Sequence, residues 1–513
     1  MSRRTISSAF GFAAILVCGA AYLSANPAMA ADGPAVRTAG ACSGLSALKL
    51  QGVTVTAAER VAPGWPFPHS VFNIMSPNPS ATVAFCRVAA TIGTEIRIEV
   101  WLPDAWNRRF EGVGNGGLTG AINYPALAAG VAGGYATAST DTGHETPDNF
   151  FDASWVDGHP GRVVNFGYRA HHLMAETAKN IVAAYYGEPA HHAYYQGCSS
   201  GGWEGLTEAQ RFPGDYDGIV AGAPAINFVK LQSSGILNEQ MSLRDPASDV
   251  PPSKFALIQK AAVKQCDSID GLKDGLIDDP RKCRFDPARI ACKKGDGPDC
   301  LTAAQVARVR ANYGPQKSKG GMTLYPGLAW GAPPGILANI FPPGDAMIVR
   351  ALKTHPGWTP KDFDPDRDIP PMEAELGPIL DSMDPDLGAF KADGGKLILY
   401  HGWADQLLSP YDTLDYYASV EAKVPHTDDF LRLFMVPGMA HCAGGDGPNR
   451  FDALSAVVAW VEEGQAPTRM VAGHVGADMK TDRTRPLCAN PMVARYTGKG
   501  SIDEAANFVC RKP

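Results

Sequence analysis

The 513 residues are 45% hydrophobic, 19% charged and 9% aromatic, a balance that excludes a disordered or fibrous chain and allows a large buried core. Formal charge is −7, from 46 basic and 53 acidic residues with no long basic run, so neither a nucleic-acid backbone nor an anionic membrane surface is an expected partner. The 55 glycines and 41 prolines imply many turns and long connections, as in a loop-rich enzyme acting on small molecules or neutral polymers.

Residues 1–30 contain no acid, carry Arg3 and Arg4, and run apolar from Phe10 through Val17 to an A-x-A site at Ala28-Met29-Ala30. This pattern predicts a signal peptide, a mature chain from Ala31, and a periplasmic or secreted protein. The arginine pair admits twin-arginine export as well as the general route. No later segment approaches the ~18 uninterrupted apolar residues of a membrane span, so no membrane association is expected after cleavage. Cleavage removes Cys18 from the eleven cysteines and leaves Cys42, Cys86, Cys198, Cys266, Cys283, Cys292, Cys300, Cys442, Cys488 and Cys510. An even count in an exported chain argues for disulfides, and no CxxC pair supports a zinc ribbon or redox motif. Pairing sequence neighbours suggests Cys42–Cys86, Cys266–Cys283, Cys292–Cys300 and Cys488–Cys510. That leaves Cys198 for Cys442.

Glu95 to Leu102 alternates with period two, as an antiparallel strand with one wet face does. A strand from Phe110 runs into the glycine-rich loop Gly114-Asn115-Gly116-Gly117. Tyr168 to Tyr186 has helical spacing through Ala170, Met174, Ala178 and Ile181, and Gly187-Glu188-Pro189 stops it. Strands are predicted at Ala193–Gln196, Lys396–Tyr400 and Leu431–Val436, and an amphipathic helix over Phe451–Glu463. Strands alternating with helices point to a mainly parallel sheet. Between Asn227 and Ala389 the rhythm fails; that segment holds four of the mature cysteines and many prolines, and reads as a disulfide-stapled insertion over the sheet. The expected organisation is a signal peptide (1–30), a first core part (31–226), a lid (227–389) and a second core part (390–513).

Gly197-Cys198-Ser199-Ser200-Gly201 is the one G-x-S-x-G in the chain, and it follows a predicted strand and precedes a helix expected near Gly202-Trp203-Glu204. Small flanking residues let a nucleophilic serine sit on a strained turn with its hydroxyl at the carboxyl end of the sheet. Such a serine needs a base, and the base an orienting acid, in the chain order Ser, Asp or Glu, His. Asp405 follows the strand ending at Tyr400. Of the later histidines, His426, His441 and His474, only His441 follows a strand and a turn. His144, His171, His172, His191 and His192 read as structural. Cys198 adjoins Ser199 and Cys442 adjoins His441, so one disulfide would clamp nucleophile and base side by side.

With Cys198-Ser199, Asp405 and His441-Cys442 in place, the mature sequence resembles the tannase/feruloyl esterase family. Asp141-Thr142-Gly143-His144, Gly197 to Gly202, Gly394-Gly395-Lys396, His401-Gly402-Trp403 and Pro437-Gly438-Met439 look like family signatures. The resemblance implies an α/β fold: an α/β-hydrolase core with a large inserted disulfide-stapled lid, and the five-disulfide set above. It also implies a serine carboxylic ester hydrolase acting through an acyl-enzyme on small or polymer-linked aromatic esters, feruloyl or galloyl. The alternatives are a terephthalate monoester hydrolase, another ester hydrolase or acyltransferase, or a peptidase on the same core; a binding module with a decayed triad is the contrary class. The oxyanion is expected against the amide of Ser200 and that of Gly116 or Gly117. Trp330, Phe341 and Trp358 could line a pocket, but read better as lid core.

Asp267-Ser268-Ile269-Asp270-Gly271-Leu272-Lys273-Asp274-Gly275-Leu276 is compatible by itself with a solvated acidic turn or with an oxygen cage for calcium, and its spacing is not that of an EF-hand. The resemblance implies structural calcium in the lid, held by Asp267, Asp270 and Asp274 side chains and the carbonyls of Leu272 and Leu276.

Overall fold

Buried strands of this chain send alternate residues into two separate apolar layers, and that period of two organises the molecule. The computed structural model describes residues 39–334, 347–352, 358–476 and 480–513. The expected signal peptide, with Arg3, Arg4 and Cys18, and also Phe341, lie outside the described residues. The strands are β1 (Val53–Val61), β2 (Phe85–Ile92), β3 (Ile96–Pro103), β4 (Arg109–Val113), β5 (Ala136–Thr140), β6 (His192–Cys198) and β7 (Gly218–Gly222), then β8 (Gln316–Lys317) and β9 (Thr323–Tyr325). They continue as β10 (Lys396–Gly402), β11 (Leu431–Val436), β12 (Arg469–Val475), β13 (Thr481–Cys488), β14 (Val493–Tyr496) and β15 (Phe508–Arg511).

Nine of them form one sheet in the order β1-β2-β3-β5-β4-β6-β7-β10-β11. From β5 to β11 every pairing is parallel, while β1, β2, β3 and β5 pair antiparallel. The predicted parallel sheet therefore carries an antiparallel end, which is the α/β-hydrolase arrangement. Tyr195, Ile219, Leu397, Leu399, Leu431 and Leu433 face one core, shared with Met174, Ala178 and Ile181 of the helix Ala170–Tyr186. Tyr194, Val220, Ile398 and Phe434 face the other, against Val457 and Trp460 of the helix Ala453–Glu463. Cover on both faces is what nearly continuous apolar strands require. The helix Ala170–Tyr186 follows a π-helical turn over Asn165–Arg169 and is capped by Gly187 in the left-handed conformation.

The insertion between β7 and β10 is built around a small core of its own and a second that it shares with Leu118, Trp155, Phe166 and Trp203 of the first core part. Ile258 of the helix Phe255–Cys266, Val306, Val309 and Tyr313 of the helix Ala303–Tyr313, and Leu301 just before it make one. Phe228, Leu324, Tyr325, Ile369, Met372 and Leu376 belong to another, between the helices Phe228–Arg244 and Pro365–Leu380. Trp330 stacks on Tyr313 with ring centroids 4.1 Å apart and packs on the first cluster while also lining a pocket with Trp403 and Gly438, and Trp358 packs on the second cluster. Disulfides Cys266–Cys283 and Cys292–Cys300 staple the lid, Cys42–Cys86 ties the first helical turn to β2, and Cys488–Cys510 joins β13 to β15. The lid also grips the core: Tyr325 Oη accepts from the Ser409 amide, and Ser409 Oγ donates to the Gly327 carbonyl. No helix among the described residues is long and apolar enough to cross a membrane.

Candidate active site

Ser199 is the whole of the turn between β6 and the helix Ser200–Arg211, with φ 64° and ψ −124°. The helix expected near Gly202 begins at Ser200 because the turn takes a single residue. A non-glycine residue in this region costs about 1–3 kcal/mol and persists only where its surroundings over-determine it. They do so here. The Ser199 amide donates to Gly222 at 3.0 Å, and its carbonyl accepts from Trp203 at 3.0 Å and Ala225 at 3.3 Å. A Cβ on Gly197 would lie 2.4 Å from the Gly201 carbonyl oxygen, and one on Gly201 would lie 2.8 Å from that of Asn115. Only glycine lets the strand, the helix and the glycine-rich loop approach so closely, which is the physical content of the G-x-S-x-G pattern.

Asp405, on the loop after β10, is fully buried. Its Oδ2 accepts from His441 Nδ1 at 2.7 Å and from His401 Nε2 at 3.1 Å, while Oδ1 accepts from the amides of Leu407 and Leu408, both at 2.8 Å. Burial alone would raise its pKa, but the His441 charge and the hydrogen bonds from His401 and His441 outweigh it and hold the carboxyl well below the usual range. The His441 amide donates to Gln406 Oε1 at 3.1 Å, fixing the backbone beneath the ring. With Nδ1 engaged by Asp405, Nε2 is the ring nitrogen that can serve Ser199. The Cys198–Cys442 disulfide, with Cα atoms 5.9 Å apart, brings the two neighbours of Ser199 and His441 together. Cys442 has φ 61°, so both Cys442 and Ser199, the residue after its partner Cys198, hold backbone conformations disfavoured for L-residues.

The glycine-rich loop packs on the serine elbow. Gly114 donates its amide to Gln196 O at 3.0 Å, Asn115 to Glu204 Oε2 at 2.9 Å, Leu118 to Phe150 O at 2.6 Å and Thr119 to Gly116 O at 3.3 Å. The amides of Gly116 and Gly117 are the two in this run with no acceptor among the described residues. Ser200 Oγ donates to Gly117 O at 2.6 Å and locks the next peptide. At the loop's far end, His144 Nε2 meets Leu118 O at 2.9 Å and Nδ1 meets Thr142 Oγ1 at 3.1 Å. Burial lowers the His144 pKa to about 4, so this ring is a neutral strut, which is how the Asp141-Thr142-Gly143-His144 motif acts on the site.

Sequence reasoning passed over the partners His401, Thr413, Gln406 and Glu204. One signal was available for His401: it follows the apolar, buried Leu397, Ile398 and Leu399 within two residues, and a polar side chain in such a run must find a partner.

In the aspartate loop, Asp267 Oδ1 accepts from the amides of Asp274 and Gly275 at 3.0 Å, Asp270 Oδ1 from Leu272 at 3.0 Å, and Asp274 Oδ1 from Leu276 at 3.2 Å. Asp274 Oδ2 pairs with Arg485, and Arg495 donates to the Asp270 carbonyl, so the loop is docked on β13 and β14. Burial and the Asp270 charge push the neighbouring Asp278 to about 7. An all-oxygen donor set with surplus negative charge fits a hard divalent cation. The carboxylates converge less tightly than His172, Glu208 and Asp215, the one His/Cys/Asp/Glu group among the described residues whose ligand atoms all lie within 4.8 Å of one another. That group has its own explanation. His172 Nδ1 bonds Asp215 Oδ2 at 2.7 Å, Lys179 lies 3.7 Å from Oδ1, and burial with the Asp215 charge pushes the Glu208 carboxyl well above its usual range.

A serine elbow after β6, an acid after β10 and a histidine after β11 on this sheet define an α/β-hydrolase. The family profile described as tannase and feruloyl esterase matches residues 80–341 and 362–511. The chain belongs to the tannase and feruloyl esterase family of carboxylic ester hydrolases. It is 35% identical to an uncharacterized esterase of Xanthomonas campestris pv. campestris over 94% of this chain and 93% of that protein. It is 36% identical to the mono(2-hydroxyethyl) terephthalate hydrolase of Piscinibacter sakaiensis over 82% of each. Its fold matches the crystal structure of feruloyl esterase B from Aspergillus oryzae with TM-score 0.84 and 28% identity, over 92% of this chain and all (100%) of that one.

Proposed function

We propose that this is an exported serine esterase that hydrolyses aromatic carboxylic esters, feruloyl or galloyl in type, through an acyl-enzyme on Ser199. The observation that carries the reading is the 2.7 Å Asp405–His441 bond, on a histidine whose neighbour Cys442 is bonded to Cys198 beside Ser199. Ser199 Oγ attacks the ester carbonyl while His441 Nε2 takes its proton and passes it to the leaving alcohol; water then attacks the acyl-enzyme with the same base and releases the acid. Asp405 stays ionised and fixes the ring tautomer. The oxyanion rests against the Ser200 amide and the free amides of Gly116 and Gly117. Five disulfides and the A-x-A leader support an oxidising compartment outside the cytoplasm, and the lid, taken as 227–389, closes over the site.

Relatives named for feruloyl and for mono(2-hydroxyethyl) terephthalate esters support an aromatic acyl group; the terephthalate monoester is the second reading. A panel of methyl ferulate, a gallate, a terephthalate monoester and short aliphatic p-nitrophenyl esters tests both. Aromatic esters are expected to have the highest kcat/KM; faster cleavage of aliphatic esters, amides, or transfer to added alcohols would replace the assignment.

Because Asp405 is held ionised far below neutrality, loss of activity on acidification reports the imidazole base. Turnover is expected to fall on acidification, and a flat kcat/KM profile from about pH 4 to 8 would count against a histidine base.

Calcium is proposed on Asp267, Asp270 and Asp274 with the Leu272 and Leu276 carbonyls. Bound there, it would supply charge balance and rigidity to the lid and take no part in acyl transfer. Chelation is expected to lower the melting temperature while leaving initial rates at low temperature nearly unchanged; complete loss of activity with unchanged melting would assign the metal to catalysis.

A further inference from the structure

Asp405 serves two histidines through one oxygen. His441 Nδ1 lies 2.7 Å and His401 Nε2 3.1 Å from Oδ2, and His401 comes from β10 itself. An ionised carboxylate only accepts, so His401 Nε2 carries a proton; the Nδ1 of a neutral ring then accepts, and the Thr413 hydroxyl, 2.8 Å away on the helix Pro410–Lys423, donates to it. Asp405, His401 and Thr413 are each fully buried, so water cannot replace any link. Among the described residues, the titratable and charged groups about this chain include Asp412 beside Thr413, with Asp415 and Lys230 acting on it, and the lid residue Tyr325, whose hydroxyl accepts from Ser409.

We propose that His401, its Nε2 proton fixed by Asp405 and its Nδ1 held by Thr413, is a positioning residue: it holds Asp405 as the anion and draws charge from the oxygen that faces His441. The inference rests on the serine esterase reading above. A donor on the shared oxygen makes Asp405 less basic, so the imidazolium formed at His441 gives up its proton to the leaving alcohol more readily. Without that donor the imidazolium is held more tightly and the base-active form needs a higher pH. The carboxylate itself stays in place, because Oδ1 remains fixed by the Leu407 and Leu408 amides.

The test is the pH profile of the rate at which a p-nitrophenyl phosphonate modifies Ser199, followed by p-nitrophenol release and peptide mass spectrometry in the parent, His401→Leu, His401→Gln and Thr413→Val. His401→Leu should move the acid limb upward by about one pH unit, a loss of roughly tenfold at pH 6 beyond any fall in the plateau. Thr413→Val, which leaves the ring but strips the hydrogen bond that holds its Nδ1, should move it in the same direction by less. His401→Gln keeps an N–H for Asp405 and a carbonyl for Thr413 and should track the parent. If His401→Leu does not fold, the contrast between Thr413→Val and His401→Gln decides. An acid limb unmoved in the folded variants, or His401→Gln as impaired as Thr413→Val, overturns the role of His401. A parent enzyme that turns over ester yet is not phosphonylated at Ser199 overturns the underlying serine reading instead.

Discussion

Ser199→Ala is expected to lower ester hydrolysis by on the order of 10⁴- to 10⁶-fold while leaving folding intact, since nucleophile and base act as a unit and losing one loses most of what both supply. Alanine meets the same strain at φ 64° as serine does, so the melting temperature should hardly move. Ser199→Gly should be as inactive but melt higher than Ser199→Ala, because glycine occupies this backbone region at no steric cost. Kinetics and thermal unfolding of the pair separate chemistry from strain. Near-normal turnover in either variant would remove Ser199 from the mechanism.

Replacing Cys198 and Cys442 together with alanine is expected to lower turnover by roughly a hundredfold at temperatures where the protein remains folded, since displacing reacting groups by about 1 Å costs that much. Stability falls as well: closing a loop with a sequence separation of 244 contributes roughly 5 kcal/mol in the chain-entropy model. Cys42 and Cys86, 44 apart and joining the first helical turn to β2 near the sheet's antiparallel edge, provide the control. Their removal should cost about 4 kcal/mol of stability and leave the rate of the folded enzyme nearly unchanged. Equal effects of the two pairs on rate would mean that the central disulfide stabilises the fold without setting the geometry of Ser199 and His441.

What the sequence made legible follows the range of the signals. Period two at Glu95–Leu102 and helical spacing from Ala170 are local properties, so β3 and the helix Ala170–Tyr186 could be read directly, but the wet face expected of β3 is absent: only Arg97 is exposed, and Glu99 is buried against Arg87. The G-x-S-x-G pattern reports a steric requirement between Gly197, Gly201 and Asn115, and is visible because glycine alone meets it. Cysteine parity exposed the long link between Cys198 and Cys442 once the nearer pairs were assigned. At the antiparallel end of the sheet only β3 carried the period-two signal; the antiparallel pairing of β1 and β2 was not foreseen, because pairing direction is set by connections rather than by strand composition. Within the site, the missed contacts are those between residues far apart in the chain: Glu204 to the Asn115 amide, His144 to the Leu118 carbonyl, Thr413 to His401. No local pattern marks a buried histidine as a strut or a tuner; its partners do, and they appear only when β10, the acid loop and the helix Pro410–Lys423 are folded together.

The most direct test of the central claim is mass spectrometry of the enzyme quenched in acid during turnover of an aromatic p-nitrophenyl ester. An acyl-enzyme account predicts one added acyl group per chain, located on the peptide containing Ser199, formed with a burst of p-nitrophenol and absent from Ser199→Ala. Acylation at another residue, or an adduct that persists in Ser199→Ala with the burst intact, would contradict it.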